Sequence, residues 1–355
     1  MNDEHFMRLA LELARKGEGK VNPNPMVGAV IVKDGRIIGV GWHEYYGGKH
    51  AEVNAIENAK LRGHSVRGAT MYVTLEPCVH WGKQPPCADR IIAEGIKRVV
   101  ISLEDLNPLV AGKGIEKLRK AGIEVEVGIL EEEARKLNEI FIKYITTGIP
   151  FVSIKLALTL DGYIATETFE SKWITGEEAR RKVQELRRKH MAIMVGANTV
   201  LKDNPSLNCR LLGCPEKIKV ILDRSARIAR EVRRGRKFKL FEDGRVIFFT
   251  ERPEEFEGIA EAYNITEPKA ILEFLGSMGI DSVLIEGGKI ACQFLPFADR
   301  LYLFYGSKIL GRGIKPFECL NVKSLREAFK VRVESVEVLG GDVLVVGAGD
   351  VHGNR

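Results

Sequence analysis

The sequence predicts a two-domain α/β protein, each domain a sheet of strands covered by helices. Three observations carry this. The chain has 355 residues, enough for two separate cores. Short apolar runs rich in β-branched residues alternate with segments whose apolar residues recur at helical spacing. The alternation breaks at Thr146-Thr147-Gly148-Ile149-Pro150 and then restarts, placing the domains at 1–147 and 148–355.

Residues 3–17 predict a helix, with Phe6, Leu9, Ala10, Leu13 and Ala14 along one face. Runs 27–33 and 36–42 predict two strands joined at Asp34-Gly35, a strong hairpin signal. A helix over 50–61, a strand over 70–75, a helix over 87–95 and a strand over 98–103 follow. Gly112-Lys113-Gly114 turns into a helix ended by Gly122, and a strand at 123–127 and a helix at 131–144 complete the first domain. In the second, strands are expected at 151–158, 192–195, 218–222, 246–250, 282–285 and 301–304. A helix is expected at 177–189, and 331–346 reads as a closing hairpin turned at Gly340-Gly341. The last six residues read as a frayed tail.

Hydrophobic content of 45% with 29% charged residues is that of an ordinary soluble globular protein. The net charge is +6, but acidic and basic residues alternate, which reads as a solvated surface and not a nucleic-acid tract. The basic stretch 230–239 is the one exception to test. No run is long and apolar enough to cross a bilayer, and Asp3 and Glu4 exclude a secretory leader, so a cytoplasmic setting is expected. Six thinly spread cysteines read as thiols or metal ligands in a reducing compartment, not a disulfide framework. On that reading Cys209 and Cys214 are incidental thiols, and Cys292 and Cys319 are core residues. Glutamine occurs only at Gln84, Gln184 and Gln293 beside abundant Glu, Lys and Arg, a bias common in proteins from hot environments.

The strongest chemical signal is His50-Ala51-Glu52 opening one helix, with Pro77-Cys78 and Cys87 around the next strand, loop and helix. One imidazole and two thiolates suit Zn²⁺ with its fourth position open to water. Cys87 at a helix start is expected to gain from the free amides there. His-x-Glu with Pro-Cys and a later Cys is the zinc-deaminase signature, in which the Glu is not a ligand. Glu52 would take a proton from the zinc-activated water as it attacks the amino-bearing ring carbon, then return protons to the ring nitrogen and departing ammonia. The signature has two residues between its cysteines, whereas here eight intervene.

With that lengthened loop, Thr74-Leu-Glu-Pro-Cys78 and Gly82-Lys-x-Pro-Pro-Cys87 resemble the bifunctional riboflavin-biosynthesis deaminase/reductases. So do Asn24-Pro-x-Val-Gly-Ala-Val30 and Asn107-Pro-Leu-Val-Ala-Gly-Lys-Gly114, and the resemblance runs from about Phe6 to the final hairpin. It implies a cytidine-deaminase-like three-layer domain followed by a dihydrofolate-reductase-like domain. It also implies deamination of 2,5-diamino-6-ribosylamino-4(3H)-pyrimidinone 5′-phosphate, then NADPH-dependent reduction of the ribosyl group to ribityl. Asn24, His43, His80, Lys83, Asp105 and Asn107 would line the first pocket. Lys83 and the two histidines suit phosphate and ribose, and the others the pyrimidinone edge.

The second half says less from its residues. Thr159-Leu160-Asp161-Gly162 is a turn, and Lys155 in the preceding strand would need a partner if buried. Ser171-x-Trp173-Ile174-Thr175-Gly176 leads into a helix. Val195-Gly196-Ala197-x-Thr199 and Asp203-Asn204-Pro205 form a small-residue turn between strand and helix, and Glu286-Gly287-Gly288 follows a strand. None is a Rossmann fingerprint. By resemblance, Ala157, Trp173, Thr199, Asp203 and the segment from Gly288 to Phe294 would contact NADPH. Lys155, Ser171, Arg187, Leu207, Arg210 and Glu286 would surround the substrate, with Arg187 and Arg210 as phosphate forks. Hydride would go to the sugar C1′ after the ribosylamine opens, and a homo-oligomer is expected.

Two other readings are open to test. A nucleic-acid-editing deaminase needs a basic, aromatic-rich surface, and aromatics are only 7%. A regulatory protein with one inactive half is countered by the intact ligand set in the first domain.

Overall fold

The computed structural model describes residues 2–79, 81, 85–107 and 111–349. The chain divides into two compact units, Met1–Gly148 and Ile149–Arg355.

In the first unit, α1 (Asp3–Arg15) precedes the hairpin β1 (Gly28–Lys33) and β2 (Arg36–Trp42). Asp34 and Gly35 both have positive φ, as the tight two-residue turn requires. Then come α2 (Ala51–Leu61), β3 (Thr70–Leu75), α3 (Cys87–Glu94), β4 (Arg98–Leu103), α4 (Lys113–Lys120) and β5 (Glu124–Val127). The sheet runs β2-β1-β3-β4-β5, antiparallel on its first side and parallel from β3 to β5. Its two faces carry separate cores. Ile31, Met71, Val73 and Ile101 pack with Ala55 and Ile91, while Val30, Tyr72 and Val100 pack with Phe6 and Met7. This is the three-layer arrangement that the resemblance implies, with successive residues of each buried strand facing opposite cores.

Helix α2 lies directly on β2. A Cβ on Gly41 would stand 2.3 Å from the Ala55 amide nitrogen and 2.5 Å from the Ala51 carbonyl oxygen, so only glycine permits that approach. The single helix expected at 131–144 is instead two, α5 (Glu131–Leu137) and α6 (Glu139–Thr147). Asn138 interrupts it. Its buried side chain accepts from the Met26 amide at 2.8 Å and donates to the Met26 carbonyl at 3.0 Å. That pair fastens the loop carrying Asn24.

The second unit contains β6 (Phe151–Thr159), α7 (Glu177–Lys189), β7 (Ala192–Gly196), α8 (Ala197–Asp203), β8 (Ile218–Leu222), α9 (Arg227–Arg233) and β9 (Val246–Phe249). It continues with β10 (Glu261–Tyr263), α10 (Pro268–Ser277), β11 (Ser282–Glu286), α11 (Gly288–Phe294), β12 (Arg300–Gly306), β13 (Val331–Leu339) and β14 (Asp342–Gly349). The nine-stranded sheet runs β10-β9-β8-β7-β11-β6-β12-β14-β13, parallel as far as β12 and antiparallel beyond. Ile154, Met194 and Ile285 pack with Leu272 and Phe294 on one face, and Ile193, Val195 and Phe248 with Ile228 and Phe256 on the other. Both faces are covered, as a parallel sheet requires.

Five elements exceed the expected set. Helix α9 is only seven residues with three arginines, α11 opens on a glycine, and β10 has three residues, so none carries a clear period. Helix α10 starts on Pro268, which suits a first turn. Segment 197–203, read as a turn, closes into α8.

Four of the six cysteines are not the thiols that the sequence led us to expect. Cys209 pairs with Cys214 and Cys292 with Cys319, at Cα separations of 5.9 and 6.1 Å that suit a disulfide. Cys319 is exposed, not core. Only Cys78 and Cys87 are free thiols. In the basic stretch 230–239, Arg233 donates to the Glu255 carbonyl and Arg234 pairs with Glu231. No helix among the described residues is long and apolar enough to cross a membrane.

Candidate active sites

Helix α2 and strand β3 bring the first site together. His50 is the residue before α2, with extended backbone, and Glu52 lies in the first turn. Leu75 ends β3, three residues before Cys78, and Cys87 is the first residue of α3. The ligand atoms of His50, Cys78 and Cys87 all lie within 4.8 Å of one another. His50 Nδ1 is 3.2 Å from Cys87 Sγ and 3.6 Å from Cys78 Sγ. A tetrahedral zinc with Zn–S of about 2.3 Å and Zn–N of about 2.0 Å needs ligand separations of roughly 3.5–3.8 Å. The donor set and its spacing fit that ion.

The helix-start amide expected to favour Cys87 serves Cys78 instead. Cys87 N–H donates to Cys78 Sγ at 3.4 Å. Hydrogen bonding from the Cys87 thiol, then from His50, holds Cys78 down to about 4, while that same bond and burial push Cys87 up. Glu52 is 4% exposed, and burial pushes its carboxyl above the ordinary range.

His43 is buried with its ring 5.6 Å from that of His50. Its Nδ1 donates to the Lys49 carbonyl at 3.0 Å, leaving Nε2 to accept from Asn24 Nδ2 at 3.2 Å. Burial lowers its pKa and favours that neutral form. Asp105 is buried, and its Oδ1 accepts from the Asn107 amide at 2.8 Å. His80 and Lys83 lie outside the described residues.

One carboxylate here escaped the sequence reading. Glu76 is 3% exposed and accepts from the amides of Asp105, Gly112, Gly114 and Ile115 at 2.7–3.1 Å. A charged residue beside Pro77-Cys78 at a strand end was the available signal.

In the second unit Lys155 on β6 stands opposite Glu286, the last residue of β11. Burial lowers the Lys155 pKa against the pull of Glu286, which supplies the partner that the sequence demanded. Arg187 on α7 grips Glu286 with two bonds, Nε to Oε1 at 2.7 Å and Nη2 to Oε2 at 2.9 Å. Burial alone would raise the Glu286 pKa, but the guanidinium brings it below the usual value. Arg187 Nη1 also donates to the Asn208 carbonyl at 3.0 Å. Its guanidinium is therefore engaged by Glu286 and Asn208, whereas Arg210, the other residue expected as a phosphate fork, is exposed.

Leu207 is buried with φ of 53°, and the Arg210 amide donates to Gln184 Oε1 at 2.9 Å. With the Cys209–Cys214 bridge, these contacts fasten the 207–214 loop to α7. Of the cofactor residues, Asp203 pairs with Lys172 at 3.3 Å, next to partly buried Ser171 and to Trp173. Trp173 is exposed, with the Arg180 guanidinium 4.6 Å from its ring centre. Thr199 Oγ1 lies 3.4 Å from where a Cβ on Gly287 would stand, and a Cβ on Gly288 would meet Ile164 at 1.8 Å. Ala157 is partly buried on β6, one residue short of Leu158 in the core.

Comparison with known proteins gives a consistent result. Residues 1–103 match the cytidine and deoxycytidylate deaminase zinc-binding region, and residues 150–345 match the RibD C-terminal domain. The riboflavin biosynthesis protein RibD of Aquifex aeolicus is 44% identical, covering 97% of each chain. That of Escherichia coli is 36% identical, covering 97% of this chain and 98% of its own. Among solved structures, the diaminohydroxyphosphoribosylaminopyrimidine deaminase/5-amino-6-(5-phosphoribosylamino)uracil reductase of Thermotoga maritima has a TM-score of 0.92 at 48% identity. It covers 98% of both chains. Acinetobacter baumannii RibD has a TM-score of 0.89 at 37% identity, again over 98% of both.

Proposed function

This chain belongs to the RibD family, the bifunctional zinc deaminases and NADPH-dependent reductases of riboflavin biosynthesis, and we propose how its own residues divide the two reactions. The convergence of His50, Cys78 and Cys87 beside buried Glu52 carries the reading. The substrate is the diaminopyrimidinone ribosyl phosphate for which the Thermotoga relative is named.

Zinc held by His50, Cys78 and Cys87 would supply a Lewis acid that lowers the pKa of water at this site. Glu52 takes a proton as water adds to the amino-bearing carbon, then delivers protons to the ring nitrogen and the departing ammonia. Burial that raises the Glu52 pKa suits a group that must both accept and donate near neutrality. Asn24, whose amide nitrogen donates to His43, presents its carbonyl oxygen to the pyrimidine. Asp105 and Asn107 hold the opposite edge, and His80 and Lys83 the phosphate and ribose. Asp105→Asn should raise KM for ammonia release about tenfold, the scale of one charge-assisted hydrogen bond. An unchanged KM would remove Asp105 from the pocket.

In the second reaction NADPH, when bound by the residues named below, would supply the hydride for reduction at the sugar C1′. Lys155 holds a proton at Nζ for the opened ribosylamine, with Glu286 and Arg187 fixing its position. Arg210 takes the phosphate, and Leu207 and Ser171 shape the pocket. Ala157, Trp173, Thr199, Asp203 and Gly288 face the cofactor.

Two copies associate through β13. A bulge between Val333 and Ser335 shifts the alternation, so that Val331, Val333, Val336 and Val338 share one exposed face. Sedimentation of a single-chain mass would count against this. The enzyme works in the cytoplasm, where disulfides such as these persist in organisms of hot environments.

A further inference from the structure

Glu76 spends one side chain on a whole loop. Its Oε2 accepts from the Asp105 amide at 3.1 Å and the Gly112 amide at 3.0 Å, so a single oxygen grips both ends of the 105–112 segment. Its Oε1 accepts from Gly114 at 2.7 Å and Ile115 at 3.1 Å, capping the first turn of α4 from a distant part of the chain. No side chain of α4 itself does this. Glu76 also donates its own amide to the Leu103 carbonyl, extending the β3–β4 pairing, and stands two residues before Cys78. Gly114 accommodates the grip, since a Cβ there would lie 2.1 Å from the Pro77 carbonyl oxygen.

We propose that Glu76 is a positioning residue of the deaminase, setting the distance between the zinc ligands and the Asp105–Asn107 segment that meets the pyrimidine. The inference rests on the reading that Asp105 and Asn107 bind substrate. One amide bond at Asp105 ties that segment to the same buried carboxylate that holds Gly112, Gly114 and Ile115, and so to Cys78 through the Glu76-Pro77-Cys78 link. An amide in its place keeps the shape but turns an NH₂ against two amide donors.

The test is Glu76→Gln in the full-length zinc enzyme. KM for ammonia release should rise about thirtyfold, the loss of one to two charge-assisted bonds. The kcat should change by less than about threefold, because Glu52 and the metal ligands are untouched. Zinc content and NADPH turnover on pre-deaminated substrate should be unchanged. Asn107→Ala added to Glu76→Gln should raise KM no further, as expected of residues acting through one another. Lost zinc, or a fall in kcat at constant KM, would make Glu76 a brace of the metal loop and overturn the proposal. So would an unaltered KM. Should Glu76→Gln fail to fold, Gly114→Ala displaces the same amides from the other side and must show the same KM pattern. The Asp105→Asn result separates the two levels: if it leaves KM unchanged while Glu76→Gln raises it, Asp105 leaves the pocket and the positioning effect runs through Asn107.

Discussion

Glu52→Gln should retain zinc, retain NADPH turnover on pre-deaminated substrate, and lose ammonia release by about a thousandfold, within the range for removing a general acid–base. The side chain sits in the first turn of α2, whose backbone is fixed against Gly41 of β2, so the isosteric amide should enter without rearrangement. What changes is proton capacity. Burial raises the Glu52 pKa, the nearby Cys78 thiolate adds to that, and His50 opposes it. Glutamine can hydrogen-bond the water but cannot carry its proton through the reaction. Because His50, Cys78 and Cys87 supply the metal donors, zinc content should match the wild type. Retained deamination would mean that another group moves the proton.

Arg187→Met should damage the second unit alone. It removes both bonds to Glu286, whose side chain is 13% exposed, and leaves that carboxylate buried with Lys155 as its remaining cationic neighbour. Breaking a buried pair this way costs about 3–5 kcal/mol. Melting of the reductase unit should fall accordingly, and NADPH turnover should drop because Lys155 and the 207–210 loop lose their anchor. The pH dependence has a definite sign. In the wild type the Glu286 pKa is depressed, so its contribution is present above the unfolded value and is lost as pH falls through the folded one. Without Arg187 the main influence lowering that pKa is gone and burial should raise it, so the deficit should shrink as pH falls. Ammonia release should be unaffected. Thermal scans at several pH values check this, and an unchanged melting point would show that the pair is worth little.

Much of this was legible in the sequence because it depended on local pattern. Asp34-Gly35 specified its turn by conformational need, and the alternating β-branched runs placed strands such as β3 and β8 at their observed bounds. The metal donors were legible because chemistry restricts them to few residue types. What escaped was non-local. Glu76 acts on backbone amides 29 to 39 positions away, which carry no sequence label. Asn138 breaks a helix whose own composition favours continuity, because its partner is Met26. Lys219 is fully buried yet satisfied by the Leu240 carbonyl and Asp243. The disulfide pairs depend on which loops the fold brings within about 6 Å, and composition gives no measure of that distance.

The most direct test is a paired assay on the diaminopyrimidinone ribosyl phosphate, following ammonia and NADPH with the zinc-loaded enzyme. Ammonia should appear without NADPH, and NADPH should be consumed only once deaminated product is present. Absence of ammonia, or NADPH oxidation on the undeaminated compound, would contradict the account.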